Sequence, residues 1–222
     1  MDVFFKEIDI CVMDFKDYYK NISENQLDAC GVSVSKLIPE GRQMLPDQAV
    51  NPMKSGVMIV CYYEQDELMV VFIRRTEDMG VHSGQIAFPG GRYDDVAGDE
   101  NTLDTAIRET WEETGLRLEK DHVLCSLSSL YVPPSNFLMD PYVAMVETKP
   151  MLTPNPAEVA EIIHIPLKSL SDDACIINSE FKTIRGMVTA PCYDLKYLKI
   201  WGATAVILSQ FICLEKKRMG VR

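Results

Sequence analysis

The segment from residue 90 to residue 116 constrains this chain most, because a Gly-Gly pair is followed at short range by a run dense in carboxylates. Asn101 or Thr102 can cap the start of a helix, and Gly115 is of the residue type at which helices end. The sequence therefore predicts a helix between these two signals. The glycine-rich turn before it allows backbone groups to approach an ion or a phosphate.

The predicted helix has two distinct faces. At about 100° per residue, three carboxylates share one arc: Glu109, Glu112 and Glu113. Three apolar side chains share the opposite side, and this phase predicts that they pack on a core: Leu103, Ile107 and Trp111. Like charges this close repel one another unless a cation lies among them, and oxygen ligands suit Mg²⁺ or Mn²⁺. A solvated acidic helix face is the alternative interpretation.

The same segment resembles the box of the Nudix hydrolases, which reads G, five residues, E, seven residues, REUxEExGU, where U is aliphatic. Residues 108–116 match the second half of the box with Thr110 at a U position, and Glu100 stands eight positions before Arg108. Gly91 corresponds to the box glycine, with three extra residues before Glu100. An insertion of this kind resembles the coenzyme A pyrophosphatase branch of the family.

Residues 71–91 resemble a second motif of that branch, LLTxRSxxLRxxxGxxxFPGG. Arg75, Gly84 and the Phe-Pro-Gly-Gly sequence at 88–91 match it, whereas Gly80 replaces its second arginine. The resemblance implies that this segment contacts the substrate, and Arg75 is preferred over Arg74 for binding a phosphate. The expected substrate-binding residues are Arg74, Arg75, Ser83, Gly84 and Gln85.

The resemblance also implies roles for the acidic residues. The expected metal ligands are Glu109, Glu112, Glu113 and the carbonyl group of Gly91. The candidates for orienting or deprotonating the attacking water are Glu112, Glu113 and Glu158. Glu158 is preferred over Glu161 because it lies nearer the loop end of a segment that resembles NPAEVAEI(x)xIPL. Arg108 and Glu100 are expected to orient the glutamates through hydrogen bonds.

The expected fold is α/β, a Nudix α/β/α sandwich with a mixed sheet and an N-terminal helical extension. Residues 1–51 form the extension, which we expect to pack on the domain or on the second subunit of a homodimer. Residues 52–222 form the Nudix domain. Apolar runs at 55–63 and 67–74 predict a hairpin, and residues 181–188 and 192–198 predict another before the last helix.

The composition excludes several kinds of protein. The chain has 222 residues and a formal net charge of −11, which disfavours nucleic-acid binding. No apolar run reaches the length of about 18 residues that a membrane span needs. Seven cysteines are scattered without a CxxC pair, which is typical of reduced thiols in a cytoplasmic protein.

The resemblance implies a hydrolase that uses Mg²⁺ or Mn²⁺ and acts on a nucleoside diphosphate derivative as its small-molecule substrate. The favoured substrate is coenzyme A or a derivative, cut at its pyrophosphate to phosphopantetheine and adenosine 3′,5′-bisphosphate. One alternative is a Nudix hydrolase of a nucleotide sugar, a dinucleoside polyphosphate or a modified nucleoside triphosphate. An alternative of another class is a non-catalytic, nucleotide-sensing Nudix module.

Overall fold

A hairpin of two long strands forms the centre of the molecule, of which the computed structural model describes residues 14–22, 36–38, 49–77, 84–183 and 186–220. Strand β1 (Met53–Glu64) pairs antiparallel with β2 (Glu67–Arg75). The turn between them uses Gln65 and Asp66, both with positive φ, as the tight turns of hairpins require. Residues 55–62 of β1 are buried without interruption, which is typical of a strand covered on both faces.

The main sheet is mixed. Strand β1 pairs parallel with β7, and all the other pairs in the sheet are antiparallel. The strand order is β3-β2-β1-β7-β5, while β4 pairs with β1, β6 with β7 and β8 with β2. The remaining strands are β3 (Ile86–Ala87), β4 (Gly90–Arg92), β5 (Val123–Ser126), β6 (Leu130–Val132), β7 (Phe137–Met145) and β8 (Val159–Pro166).

Helices cover both faces of this sheet. Residues 14–20 are helical (α1), and two longer helices are α2 (Thr102–Thr114) and α3 (Gly202–Arg218). Alternate side chains of β1 enter two separate cores: Ile59 lies in the core that contains α3, and Met58 lies in the core that contains Ala106 of α2. Because successive strand residues point to opposite faces, the sheet lies between α2 and α3. The predicted α/β/α sandwich is confirmed.

A second, three-stranded sheet precedes α3. It consists of β9 (Ile176–Thr183), β10 (Gly186–Asp194) and β11 (Lys199–Trp201), all antiparallel. The prediction of one strand at 181–188 is wrong, because β9 and β10 are joined within that range. Gly186 has a φ of 105°, a conformation that favours glycine at such a connection. Among the described residues, three short 3₁₀ helices complete the fold: Lys120–His122, Leu167–Leu170 and Asp173–Cys175.

Helix α1 packs on α3 of the same chain. Phe15 and Tyr19 are fully buried, with ring centroids 6.5 Å and 5.8 Å from that of Phe211. Arg218 at the end of α3 donates a hydrogen bond of 2.8 Å to Asp14. The described part of the N-terminal segment therefore contributes to the core of its own domain.

Helix α2 is rotated relative to the predicted phase. Its most buried side chains are small or acidic, and Trp111 is 47% exposed, so the prediction that Trp111 is buried is wrong. A Cβ atom added at Gly56 of β1 would overlap the carbonyl oxygen of Thr102, so the helix lies too close to the sheet for bulky side chains. Ala106 and Thr110 fill this contact, while Leu103 and Ile107 pack at its side, partly buried.

The cysteines do not form the uniform set of reduced thiols that we expected. Four of them are free: Cys61, Cys125, Cys175 and Cys192. Cys213 is disulfide-bonded, and Cys11 and Cys30 lie outside the described residues. The cysteines therefore give no support to the predicted cytoplasmic location. In the part of the chain that the structure describes, no helix is long and apolar enough to cross a membrane.

Candidate active site

The end of α2 meets the Gly-Gly turn. The backbone N–H of Gly90 donates a hydrogen bond of 2.9 Å to the Glu113 carboxylate, and Gly90 itself has a φ of 155°. A Cβ atom added at Gly91 would overlap the carboxylate of Glu109. The two glycines are therefore what allows two carboxylates of α2 to lie directly against β4.

A third carboxylate joins these two from a loop. Carboxylate oxygens of Glu109, Glu113 and Glu158 all lie within 4.8 Å of one another, and we call these three residues the acid cluster. The Glu158 backbone is fixed on both sides, since its N–H donates to Asn155 and its carbonyl accepts from Thr76, each at 3.0 Å. The side chain of Glu113 is fully buried, and Glu109 and Glu158 are half-buried.

Burial dominates the electrostatics of the acid cluster. It raises the pKa of Glu113 to about 8, although the Gly90 N–H and the Arg75 guanidinium both act to lower that pKa. Burial also raises the pKa of Glu109, against the opposing effect of Arg108. Glu113 therefore retains a proton at neutral pH when no cation is near. Buried oxygen donors at this spacing match the ligands of a hard divalent cation.

Arg108 connects the acid cluster to its surroundings. Its Nη1 donates to Glu109 and to Glu112, each at 2.9 Å, and these hydrogen bonds restrain both carboxylates. The structure does not bring Glu112 into the acid cluster. Its side chain is 41% exposed and lies on the Arg108 guanidinium instead.

Asp99 is the residue of this network that the sequence did not predict. It is buried and accepts hydrogen bonds from Arg108 Nε (3.0 Å), Arg108 Nη2 (2.9 Å) and the Thr105 hydroxyl (2.8 Å). The bond from Arg108 is the main reason that the pKa of Asp99 is lowered. Glu100, which was predicted to orient the glutamates, is exposed, and its backbone N–H donates a hydrogen bond of 3.3 Å to the Asp104 carboxylate.

The two arginines at the end of β2 have different surroundings. Arg75 Nη1 lies 3.4 Å from Glu113 and so belongs with the acid cluster. Arg74 forms an ion pair of 3.0 Å with Glu161, which places Glu161 outside the acid cluster. Arg74 also lines a cleft together with Gly84 and Gln85, whereas Ser83 lies outside the described residues.

Comparisons with known proteins find related sequences and a related fold. The family model described as NUDIX domain matches residues 52–183. A peroxisomal coenzyme A diphosphatase of Caenorhabditis elegans is 30% identical over 130 residues, which cover 58% of this chain and 55% of that protein. A mitochondrial coenzyme A diphosphatase of Homo sapiens is 30% identical over 161 residues, which cover 70% of this chain and 66% of that protein. The chain thus spans less than two thirds of the length of these two relatives.

One solved structure supports the fold over nearly the whole chain. The crystal structure of a MutT/nudix family protein from Enterococcus faecalis has a TM-score of 0.51 and 21% sequence identity. The match covers 94% of this chain and 74% of that chain. At this level of identity the likeness concerns the fold alone.

Proposed function

This chain belongs to the Nudix hydrolase family, and on that premise we propose that it cleaves the pyrophosphate bond of coenzyme A or its acyl derivatives. The products are phosphopantetheine and adenosine 3′,5′-bisphosphate. The observation that carries the reaction is the acid cluster, with three carboxylates held within 4.8 Å of one another. The substrate rests on the two relatives that are named coenzyme A diphosphatases.

Nudix hydrolases use divalent metal ions, and the acid cluster fits one. Its donors are all carboxylate oxygens, and burial is the main cause of the raised pKa of Glu113, so a bound cation would favour the charged form of that carboxylate. We propose Mg²⁺ or Mn²⁺, held by Glu109, Glu113 and Glu158. When bound, such an ion neutralises pyrophosphate charge and polarises the attacking water.

The residues in and around the acid cluster have two roles: one accepts a proton, and others orient the carboxylates. Glu158 is the proposed base, and it would accept a proton from the attacking water on the carboxylate oxygen that does not hold the ion, because it is half-buried in the turn beside α2. Arg108 orients Glu109, and Arg75 restrains the Glu113 carboxylate. Glu112 would have to leave Arg108 to act as a ligand or base, so we assign it neither role.

We also propose that residues 52–222 form the catalytic domain and residues 1–51 an extension to it. Phe15 and Tyr19 support an extension that packs on the domain. Association into a homodimer and a cytoplasmic location stay predictions. One of the two relatives is named for the peroxisome and the other for the mitochondrion. These names therefore do not agree on a compartment, and neither of them supports the cytoplasm.

A substrate panel tests the proposed function. Purified protein is incubated with Mg²⁺ or Mn²⁺ and, separately, with coenzyme A, acetyl coenzyme A, a nucleotide sugar, a dinucleoside polyphosphate and a modified nucleoside triphosphate. We expect coenzyme A to give phosphopantetheine and adenosine 3′,5′-bisphosphate in equal amounts, detected by mass spectrometry. Cleavage of another compound in preference to coenzyme A would overturn the substrate, and binding without any turnover would indicate a sensing module.

A further inference from the structure

A cleft lies where the end of β2 meets the three-stranded sheet. It has a volume of about 400 Å³, and its walls carry four cationic side chains: Arg74, Lys182, Lys196 and Lys199. Three aromatic side chains line it as well: Phe181, Tyr197 and Trp201. We call this site the basic cleft. The chain has a formal net charge of −11, so four cations in one cleft produce a positive potential there that is opposite in sign to the charge of the whole molecule.

Carboxylates balance only part of this charge. Arg74 pairs with Glu161 at 3.0 Å, and Lys199 lies 4.0 Å from Asp194. Within the described residues, neither Lys182 nor Lys196 has a carboxylate within 4.0 Å, and both are exposed. Like charges gathered without counter-charges repel one another, and a bound anion would relieve that repulsion. The basic cleft therefore favours a ligand with a phosphate or another compact anion.

The aromatic residues offer a flat surface beside these cations. Phe181 and Trp201 are stacked, with ring centroids 4.2 Å apart and planes within 8° of parallel. Tyr197 follows Lys196 directly and is 89% exposed, so its ring is open to a ligand. Aromatic faces of this kind bind nucleobases by stacking. A ligand that carries both a phosphate for the cations and a nucleobase for the aromatic rings is a nucleotide.

The basic cleft and the acid cluster meet at the end of β2. Arg74 and Arg75 are consecutive, so their Cα atoms are about 3.8 Å apart, and the pairing of β2 with β8 shifts register between them. Arg74 lines the basic cleft, while Arg75 lies 3.4 Å from Glu113 of the acid cluster. Because Arg75 is the last residue of β2, one ligand can extend past the end of the strand and contact both sites.

We propose that the basic cleft binds the 3′-phosphorylated adenosine end of the substrate, an inference that rests on the proposed function. Coenzyme A has a ribose 3′-phosphate, a dianion that ordinary ADP-linked compounds lack. Lys182 and Lys196 bind this phosphate, and the Tyr197 and Trp201 rings stack on the adenine. The cleft thereby selects nucleotides that bear a phosphate monoester on the ribose.

A binding experiment tests the basic cleft without turnover. The chain has two tryptophans, so a Trp111→Phe variant leaves Trp201, in the cleft, as the one fluorescent indole. We expect adenosine 3′,5′-bisphosphate to quench Trp201 in EDTA with a Kd at least about tenfold below that of 5′-AMP. Equal affinity for the two nucleotides would overturn the inference.

Lysine variants show whether the preference comes from the cleft. The double variant Lys182→Gln, Lys196→Asn removes both of these lysine charges, and asparagine suits the φ of 67° at position 196. It should lose the preference, whereas Lys168→Gln, at an exposed lysine outside the cleft, should keep it. The single variant Lys182→Gln serves if the double variant does not fold. Retention of the full preference in a folded cleft variant would overturn the inference.

Kinetics separate this inference from the proposed function. In the double variant, KM for coenzyme A should rise about tenfold with kcat retained, while KM for 3′-dephospho-coenzyme A should change little. Equal changes of KM for both substrates would overturn the proposed role of the basic cleft but would not contradict the pyrophosphatase function. The opposite result is that the wild type does not hydrolyse coenzyme A but binds adenosine 3′,5′-bisphosphate more tightly than 5′-AMP, and that the lysine variants lose this difference. That result would overturn the proposed function and support the proposed role of the basic cleft.

Discussion

The functional groups at the end of β2 fall into two sets that differ in charge and in burial. The acid cluster is built from carboxylates, and Glu113 at its centre is fully buried. The basic cleft is built from cations, and Lys182 and Lys196, which have no carboxylate partner among the described residues, are exposed. Water therefore screens the charges of the cleft more strongly than it screens the charge of the buried Glu113 carboxylate.

This difference determines how each set responds to substitution. A buried charge depends on a few fixed partners, so removing one group leaves the others unpaired. An exposed lysine loses only its own contact with a ligand, because water solvates what remains. We therefore expect substitutions in the acid cluster to change kcat and stability, and substitutions in the basic cleft to change KM alone.

The largest expected effect comes from Glu113→Gln. This substitution removes the central charge of the acid cluster, and we expect kcat to fall at least about 10²-fold while the fold persists. Steady-state kinetics with Mg²⁺ measure it, with Glu67→Gln, an exposed acid of the β1–β2 turn, as the control. Full activity of Glu113→Gln, or turnover of the wild type in EDTA, would contradict the role of the acid cluster.

The next effect concerns the residue that holds Arg108. Asp99→Asn removes the carboxylate that receives two hydrogen bonds from Arg108, and we expect a loss of about 2 kcal/mol in the free energy of unfolding. Glu100→Gln, at the exposed neighbour, should change that free energy by less than about 0.5 kcal/mol. Urea denaturation measures both. A larger loss of unfolding free energy for Glu100→Gln than for Asp99→Asn would instead support the predicted role of Glu100 in orienting the glutamates.

The next effect, smaller per pH unit, is the pH dependence of stability. The folded-state pKa of Glu113 is about 8, raised from 4.5, so the folded state holds a proton that the unfolded state loses above pH 4.5. The metal-free protein should therefore lose up to about 1.4 kcal/mol of stability per pH unit between these two pKa values as pH rises. Glu113→Gln should flatten this slope, and the difference between the two proteins isolates Glu113.

The same proton competes with a metal ion. Mg²⁺ or Mn²⁺ should raise the Tm of the wild type more at pH 8 than at pH 6, because Glu113 is largely protonated at the lower pH. Differential scanning fluorimetry measures this shift. A Tm increase that is independent of pH, or one that survives in Glu113→Gln, would show that the ion binds elsewhere.

Local signals predicted the framework of the acid cluster well. The Asn101 side chain accepts hydrogen bonds from the backbone of Leu103 and Asp104, and Gly115 ends α2 with a φ of 72°. These features depend on residues within a few positions of each other, which a sequence displays directly. Glu158 was also among the candidates, through its resemblance to a family segment, and the structure places it beside Glu109 and Glu113.

Features that depend on tertiary packing were not predictable in the same way. Asp99, and not Glu100, accepts the hydrogen bonds from Arg108, and the spacing of the box does not reveal this. The basic cleft combines Arg74 of β2 with Lys182 and Lys199 of two strands more than 100 residues later, so no local pattern links them. Only the folded chain brings those cations together.

The smallest expected effect tests the rotation of α2. Trp111 is 47% exposed, with the Arg117 guanidinium 5.6 Å from its ring centroid, so Trp111→Ala should cost about 1 kcal/mol of unfolding free energy. Phe88→Ala is the matched control, because Phe88 is buried and stacked on Phe72 at 4.7 Å, and it should cost about 3–5 kcal/mol. Equal costs in urea denaturation would mean that Trp111 faces the core. Such a rotation of α2 about its axis would also turn Glu113 away from Gly90. The stability of the Trp111 variant therefore tests the same helix orientation that brings Glu113 into the acid cluster.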